Sequence, residues 1–222
     1  MQSAGNDIID LGTINQQRSS DRKFFSKILS NSEQSLYPRP ENTSLSWEQY
    51  IWLLWSIKES AYKYLKRGLP DLVFSPKKII IQKIELPSLS EIKPFTESQW
   101  EGLVGEEQCY KGSVTYENNH LYCKSKIYSE LIATVVSEDE TFKDTWWGIQ
   151  TIQHSDTEHQ SKSVRSFLLT KLNGILPGAK LHIDKNKSGY PFVTDGNKEL
   201  AIPLSFAHHE RYISYSFLLG LK

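Results

Sequence analysis

The sequence predicts an α/β (α+β) protein made of two similar halves, each a helix laid against an antiparallel sheet. Three observations carry that prediction. A long stretch after Ser46 repeats its apolar residues at helical spacing between a start and a stop signal. Runs rich in β-branched and aromatic residues, punctuated by Asn, Gly and Pro, fill much of the remainder. The order also recurs. Gly5-Asn6-Asp7 opens one set of elements and Gly148-Ile149-Gln150 a second, while Lys126 to Ala133 and Phe206 to Ile213 close them with similar strands.

Ile8 to Leu11, after the polar turn at Gly5-Asn6-Asp7, reads as a short strand. Asp21 to Leu29 reads as a helix carrying Phe24, Phe25, Ile28 and Leu29 on one side, and Ser30-Asn31-Ser32-Glu33 is a capping-box pattern that starts a further turn. Residues 35–45, with Pro38 and Pro40, read as a loop. Ser46-Trp47-Glu48-Gln49 is a second capping box, and Trp47, Tyr50, Ile51, Leu54, Trp55, Ala61, Tyr62 and Leu65 follow at helical spacing. Arg67-Gly68-Leu69-Pro70 ends that helix.

Lys77 to Leu86 reads as a strand, and residues 87–106 as an unpatterned connection. Lys111 to Ile127 reads as a hairpin turning at Asn118-Asn119, and Glu130 to Val136 as another strand. The charged link Asp139 to Asp144 marks the expected boundary between a half spanning 1–140 and one spanning 141–222. Beyond it, Trp146 to Gln150 reads as a strand. A polar run over 153–162 leads into a helix through Val164, Phe167, Leu168 and Leu172. Strands follow at Lys180 to Ile183, Tyr190 to Val193 and Ile202 to Leu219.

Composition narrows the classes of function. The 26 basic and 26 acidic side chains cancel, which argues against a nucleic-acid partner. The two cysteines, Cys109 and Cys123, make neither a disulfide framework nor a metal site. No apolar run has membrane-spanning length and no signal segment is seen, so a cytoplasmic protein without a membrane partner is expected.

Two clusters of residues carry candidate chemistry. Asp7 at a strand edge and Glu59 on the long helix suit a hard divalent cation such as Mg2+, which takes oxygen ligands and is often held by one or two carboxylates plus phosphate. Lys58 and Lys63 beside them suit phosphate oxygens. Glu59 and Lys63, four apart, equally fit a surface ion pair, and Asp7 an ordinary turn residue. In Ala207-His208-His209-Glu210 the two histidines point to opposite faces of a strand, so they cannot share a metal. One of them faces inward, where a buried, hydrogen-bonded histidine is the plain alternative to a functional one.

Gly5-Asn6-Asp7-Ile8-Ile9-Asp10 together with Trp55-Ser56-Ile57-Lys58-Glu59-Ser60-Ala61-Tyr62-Lys63 resembles the two-part signature of the 4'-phosphopantetheinyl transferases. Lys187-Ser188-Gly189-Tyr190-Pro191-Phe192 with Pro203 to His208 resembles that family's other signature, and Ser163-Val164-Arg165-Ser166 the helix before it. The halves stand in the opposite order to the surfactin-type enzymes. The chain resembles two units of the small holo-acyl-carrier-protein synthase type fused around one composite site.

The resemblance implies a 4'-phosphopantetheinyl transferase fold. It also implies transfer of 4'-phosphopantetheine from coenzyme A to a serine of an apo acyl, peptidyl or aryl carrier protein, with adenosine 3',5'-bisphosphate released. It implies Mg2+, or Mn2+, on Asp7 and Glu59, a catalytic set of Glu59, Lys63 and Asp7, and coenzyme A contacts from His208, Lys58, Arg165 and Lys187. A pseudo-twofold monomer is expected, with Arg18, Arg22, Lys23 and Lys27 as candidates for meeting an acidic carrier. Fatty acid, polyketide, nonribosomal peptide and pigment pathways all remain open.

Three departures stand out. Tyr190 replaces a usual basic residue, with Lys185 or Lys187 as substitutes for its charge. Ala207 replaces a usual serine. Ile9 occupies the third acidic position of surfactin-type enzymes, one place before Asp10. These departures leave a degenerate coenzyme A- or carrier-binding protein of the same fold as the alternative.

Overall fold

A computed structural model describes residues 3–38, 43–87, 92–103, 109–196 and 198–220. Pro40 of the expected loop, and parts of the 87–106 connection, lie outside them. Strand β1 (Gly5–Asp10) leads through the short helices α1 (Gln16–Ser19), α2 (Arg22–Phe25) and α3 (Asn31–Ser35) to the long α4 (Trp47–Lys66). Strands β2 (Ile80–Glu85), β3 (Gln99–Leu103), β4 (Tyr110–Tyr116), β5 (Asn119–Ile127), β6 (Leu131–Ser137) and β7 (Thr145–Thr151) precede α5 (Thr157–Ile175). The chain ends in β8 (Leu181–Lys185), β9 (Pro191–Asp195), β10 (Lys198–Leu200), β11 (Leu204–His209) and β12 (Tyr212–Leu218). The strands form antiparallel sheets in the orders β1-β6-β5-β4-β2, β11-β12-β7-β3 and β10-β9-β8. The mixed class read from the sequence is the class observed.

Helix α4 begins where its capping box predicts. Gln49 N–H donates to Ser46 Oγ at 3.1 Å and Ser46 N–H to Gln49 Oε1 at 3.0 Å. Its buried stripe, including Tyr50, Ile51, Leu54, Ile57, Ala61 and Leu65, packs with Ile9, Ile132 and Val136 of the first sheet. Helix α5 does the same for the second half, seating Val164, Phe167, Leu168 and Leu172 against Ile213, Tyr215 and Phe217. The helix starts at Thr157, inside the run expected to be a polar lead-in, because Asp156 caps it by accepting from His159 N–H.

The opposite faces of the two large sheets meet in a third core built from Ile8, Ala133, Val135, Trp147, Ile149 and Ala207. There β1 lies along β11 without belonging to its ladder. Polar side chains tie this seam: Asn6 N–H donates to Ser205 Oγ at 3.3 Å, Asn6 Nδ2 to Ser214 Oγ at 3.1 Å, and Asp10 N–H to His209 Nδ1 at 2.8 Å.

One sequence reading needs correction. Residues 99–103, within the span expected to be an unpatterned connection, form β3, which adds to the second sheet beside β7 and so crosses the expected boundary at 140.

One close approach sets the position of α4. A Cβ at Gly5 would lie 2.3 Å from the Ser60 carbonyl oxygen and 2.9 Å from both Tyr64 Cβ and Val136 Cγ2. Glycine there lets the helix backbone rest directly on β1, and Ser60 of the helix signature is the residue it meets. Gly5→Ala is expected to push the helix outward and cost about 1–3 kcal/mol. A urea-unfolding curve with an unchanged midpoint would contradict this.

Candidate active site

The approach at Gly5 places Asp7 under α4. Lys63 Nζ lies 3.1 Å from Asp7 Oδ1 and 3.8 Å from Glu59 Oε1, so one ammonium spans carboxylates from a strand and a helix. Trp55, one turn before Glu59, donates its indole N–H to Glu59 Oε2 at 3.0 Å. Asp7 is 5% exposed, and its Oδ2 is closed to solvent with no hydrogen-bond partner among the described residues. Ser56 lies on the same side and favours the carboxylate, though its Oγ makes no hydrogen bond of good geometry among the described residues. Burial pushes the Asp7 carboxyl up to about 6, with Lys63 opposing the rise and the Glu59 charge adding to it.

Beside this pair opens a cleft of about 310 Å³ walled by both halves. Lys63, Lys66 and Arg67 come from α4 and its end. Lys185 and Tyr190 come from the β8–β9 region, and His208 from β11. Among the described residues, no aspartate or glutamate belongs to its lining. His208 is exposed on the cleft wall, and partial desolvation together with Lys63 and Lys185 holds its imidazole below its ordinary pKa. His209 points the other way and accepts the Asp10 N–H, as the alternation of a strand requires.

Arg67 is the residue that sequence reasoning passed over, because a basic residue before Gly68 reads as a helix end. Its guanidinium lies 5.8 Å from the centre of the Tyr190 ring and donates to the Pro191 and Leu204 carbonyls. The Tyr190 hydroxyl donates to the Lys66 carbonyl at 2.9 Å. A guanidinium from the first half thus lies over the Tyr190 ring of the second.

The structure relocates several expected residues. Lys58 does not face the cleft. It is wholly buried, 2.7 Å from Glu33 Oε1, and donates to the Pro76 and Ile79 carbonyls at 2.8 Å each. The helical turn of about 100° per residue separates it from Glu59. Lys187 is exposed on the turn, whereas Lys185 lines the cleft. Arg165 follows Val164 on α5 and is outside the lining, where Arg67 stands instead. Asp10 is otherwise engaged, since Oδ1 accepts from Gly12 N–H at 2.9 Å and Oδ2 lies 3.4 Å from Arg211 Nε.

The donor set suits a hard cation. Two carboxylates converge, one with an unsatisfied buried oxygen, and no third histidine, cysteine or acid joins them among the described residues. Mg2+ accepts such a site because it keeps water or phosphate in its remaining positions.

A family model for the 4'-phosphopantetheinyl transferase superfamily matches residues 3–116, just over half of the 222-residue chain. The chain belongs to that superfamily, whose members are transferases. The match includes Asp7, Glu59 and Lys63 and ends before the half that carries His208. Comparison with curated proteins and with solved structures found no match.

Two outcomes follow from the site. Lys58→Met strands the Glu33 carboxylate and is expected to cost roughly 3–5 kcal/mol, seen as a lowered urea midpoint, with coenzyme A affinity of the folded protein unchanged. Lost affinity at full stability would contradict this. For Asp7, a raised carboxyl means that between pH about 4 and 6 the folded state holds a proton the unfolded chain has released. Metal-free protein should therefore lose stability as pH rises through that window. Asp7→Asn should remove this slope, and a slope that persists in the variant would assign it to other groups.

Proposed function

We propose that this protein transfers 4'-phosphopantetheine from coenzyme A to the serine hydroxyl of an apo carrier protein, at one site composed from both halves. The observation that carries the proposal is the cleft, cationic on both walls, with Asp7 and Glu59 meeting at Lys63 on its edge. Phosphoryl transfer is chiefly a matter of positioning and of neutralising charge on oxygens.

Coenzyme A brings several phosphate charges, and Lys66, Arg67, Lys185 and His208 offer matching donors from opposite sides. Tyr190 tethers the end of α4 to the second half and keeps those walls in register. Asp7 and Glu59 are the residues that would hold Mg2+ or Mn2+, which when bound would supply Lewis-acid polarisation of the phosphoryl oxygens. Glu59, half-buried on α4, is the carboxylate placed to take the serine proton. The serine oxygen forms the new bond to the phosphorus that carries pantetheine. The bond to adenosine 3',5'-bisphosphate breaks, and the proton goes to Glu59. Lys63 stands beside the reacting phosphate. The basic residues at the end of α4 favour this reading over a degenerate binder, since Arg67 lays a guanidinium over the Tyr190 ring.

No helix among the described residues is long and apolar enough to cross a membrane. The carrier is proposed to approach from the side of Arg18, Arg22, Lys23 and Lys27, and the protein to act as a monomer in the cytoplasm.

The test is mass spectrometry of apo carrier proteins incubated with the protein, coenzyme A and Mg2+. A phosphopantetheine mass increase is expected with the native protein, with a loss of about 10²–10⁴-fold in rate for Glu59→Gln and a raised coenzyme A KM for His208→Ala. Binding of coenzyme A without any modified carrier would support the degenerate binder instead.

A further inference from the structure

Lys63 belongs to two environments at once. It bridges Asp7 Oδ1 and Glu59 Oε1, and it also forms part of the wall of the cationic cleft. A protonated lysine has three donors and no lone pair, so it cannot be a metal ligand. Asp7 Oδ2 is closed to solvent and without a hydrogen-bond partner among the described residues, and Oδ1 is the atom Lys63 holds. Glu59 repeats the pattern, with Oε2 occupied by the Trp55 indole and Oε1 turned to Lys63. Two cations cannot share these two oxygens at close range without strong mutual repulsion.

We propose that Lys63 is a resident counter-ion occupying the divalent-cation position, and that cation binding exchanges it into the cleft as a phosphate ligand. The proposal rests on the reading of Asp7 and Glu59 as metal ligands. It explains how a carboxylate as buried as Asp7 is kept neutralised in the absence of metal. It also gives the two substrates an order. A divalent cation releases an ammonium to the cleft wall, and coenzyme A then meets a more cationic surface. By linkage, a phosphate ligand that holds Lys63 must strengthen metal binding by the same factor. A lysine four residues after a metal-binding glutamate thus serves first as a place-holder and then as a ligand, and its removal should have opposite effects on the two affinities.

The experiment measures Mn2+ binding to coenzyme A-free protein by electron paramagnetic resonance, comparing native protein with Lys63→Met and Glu59→Gln. Lys63→Met is expected to bind Mn2+ about tenfold more tightly, within the usual range of coupling between sites. The same variant should bind coenzyme A more weakly, with little further response to the metal. Glu59→Gln is expected to lose Mn2+ binding. Equal or weaker Mn2+ binding by Lys63→Met, with Glu59→Gln still defective, overturns the exchange and leaves the metal ligands standing. Mn2+ binding unaffected by Glu59→Gln overturns the metal reading itself.

A second measurement needs no variant. Acetylation of Lys63 by a small reagent, followed by mass spectrometry relative to Lys66, should quicken when Mg2+ is added to the native protein. An unchanged or slower rate overturns the exchange.

Discussion

A carboxylate taken out of water has to meet a positive charge, and the contact between Asp7 and Lys63 fulfils that condition here. The contact exists only because α4 can lie directly on β1, and Gly5 is the residue that lets it. Buried in this way, Asp7 retains a raised carboxyl pKa even with an ammonium 3.1 Å away. Desolvation outweighs the ion pair. A site that holds unsatisfied negative potential is well suited to a divalent cation, which brings more charge than lysine can.

The same helix uses its two signature lysines in different ways. Lys58 is buried against Glu33, whose other contacts include the Ile81 amide and the Ser30 amide of its own capping box. That network joins α3, α4 and β2 and fixes the helix lengthwise. Lys63 lies five residues further on, half-exposed, at the meeting of carboxylates and cleft. A buried ion pair is weak evidence for net stability. This one ties α3 and β2 to the helix that carries Glu59.

Much of the fold was legible because the signals were local. Both capping boxes formed as written, and the long helix ended within two residues of its glycine stop. Strand β3 escaped notice because Gln99-Trp100-Glu101-Gly102-Leu103 is an edge strand whose pattern owes more to its neighbour β7 than to alternation. The converging residues of the site were legible through the two-part motif, but their roles were not all so. Lys58 and Lys63 look alike in one dimension, and the partner that separates them, Glu33, lies far back in the chain. Arg67 was obscured for the opposite reason. It looks like ordinary punctuation at a helix end, and only the packing of the two halves brings it to one cleft with Lys185, which the sequence had offered beside Lys187.

The account turns on two carboxylates and a cationic cleft acting as one site. Crystals grown with Mn2+ and coenzyme A, measured at an anomalous wavelength, test this most directly. The account predicts a single strong peak about 2.1 Å from oxygens of Asp7 and Glu59, with the pyrophosphate beside it and the remaining phosphate among Lys66, Arg67, Lys185 and His208. A cation bound elsewhere, or coenzyme A lying outside the cleft with Lys63 still bridging the two acids, would contradict it.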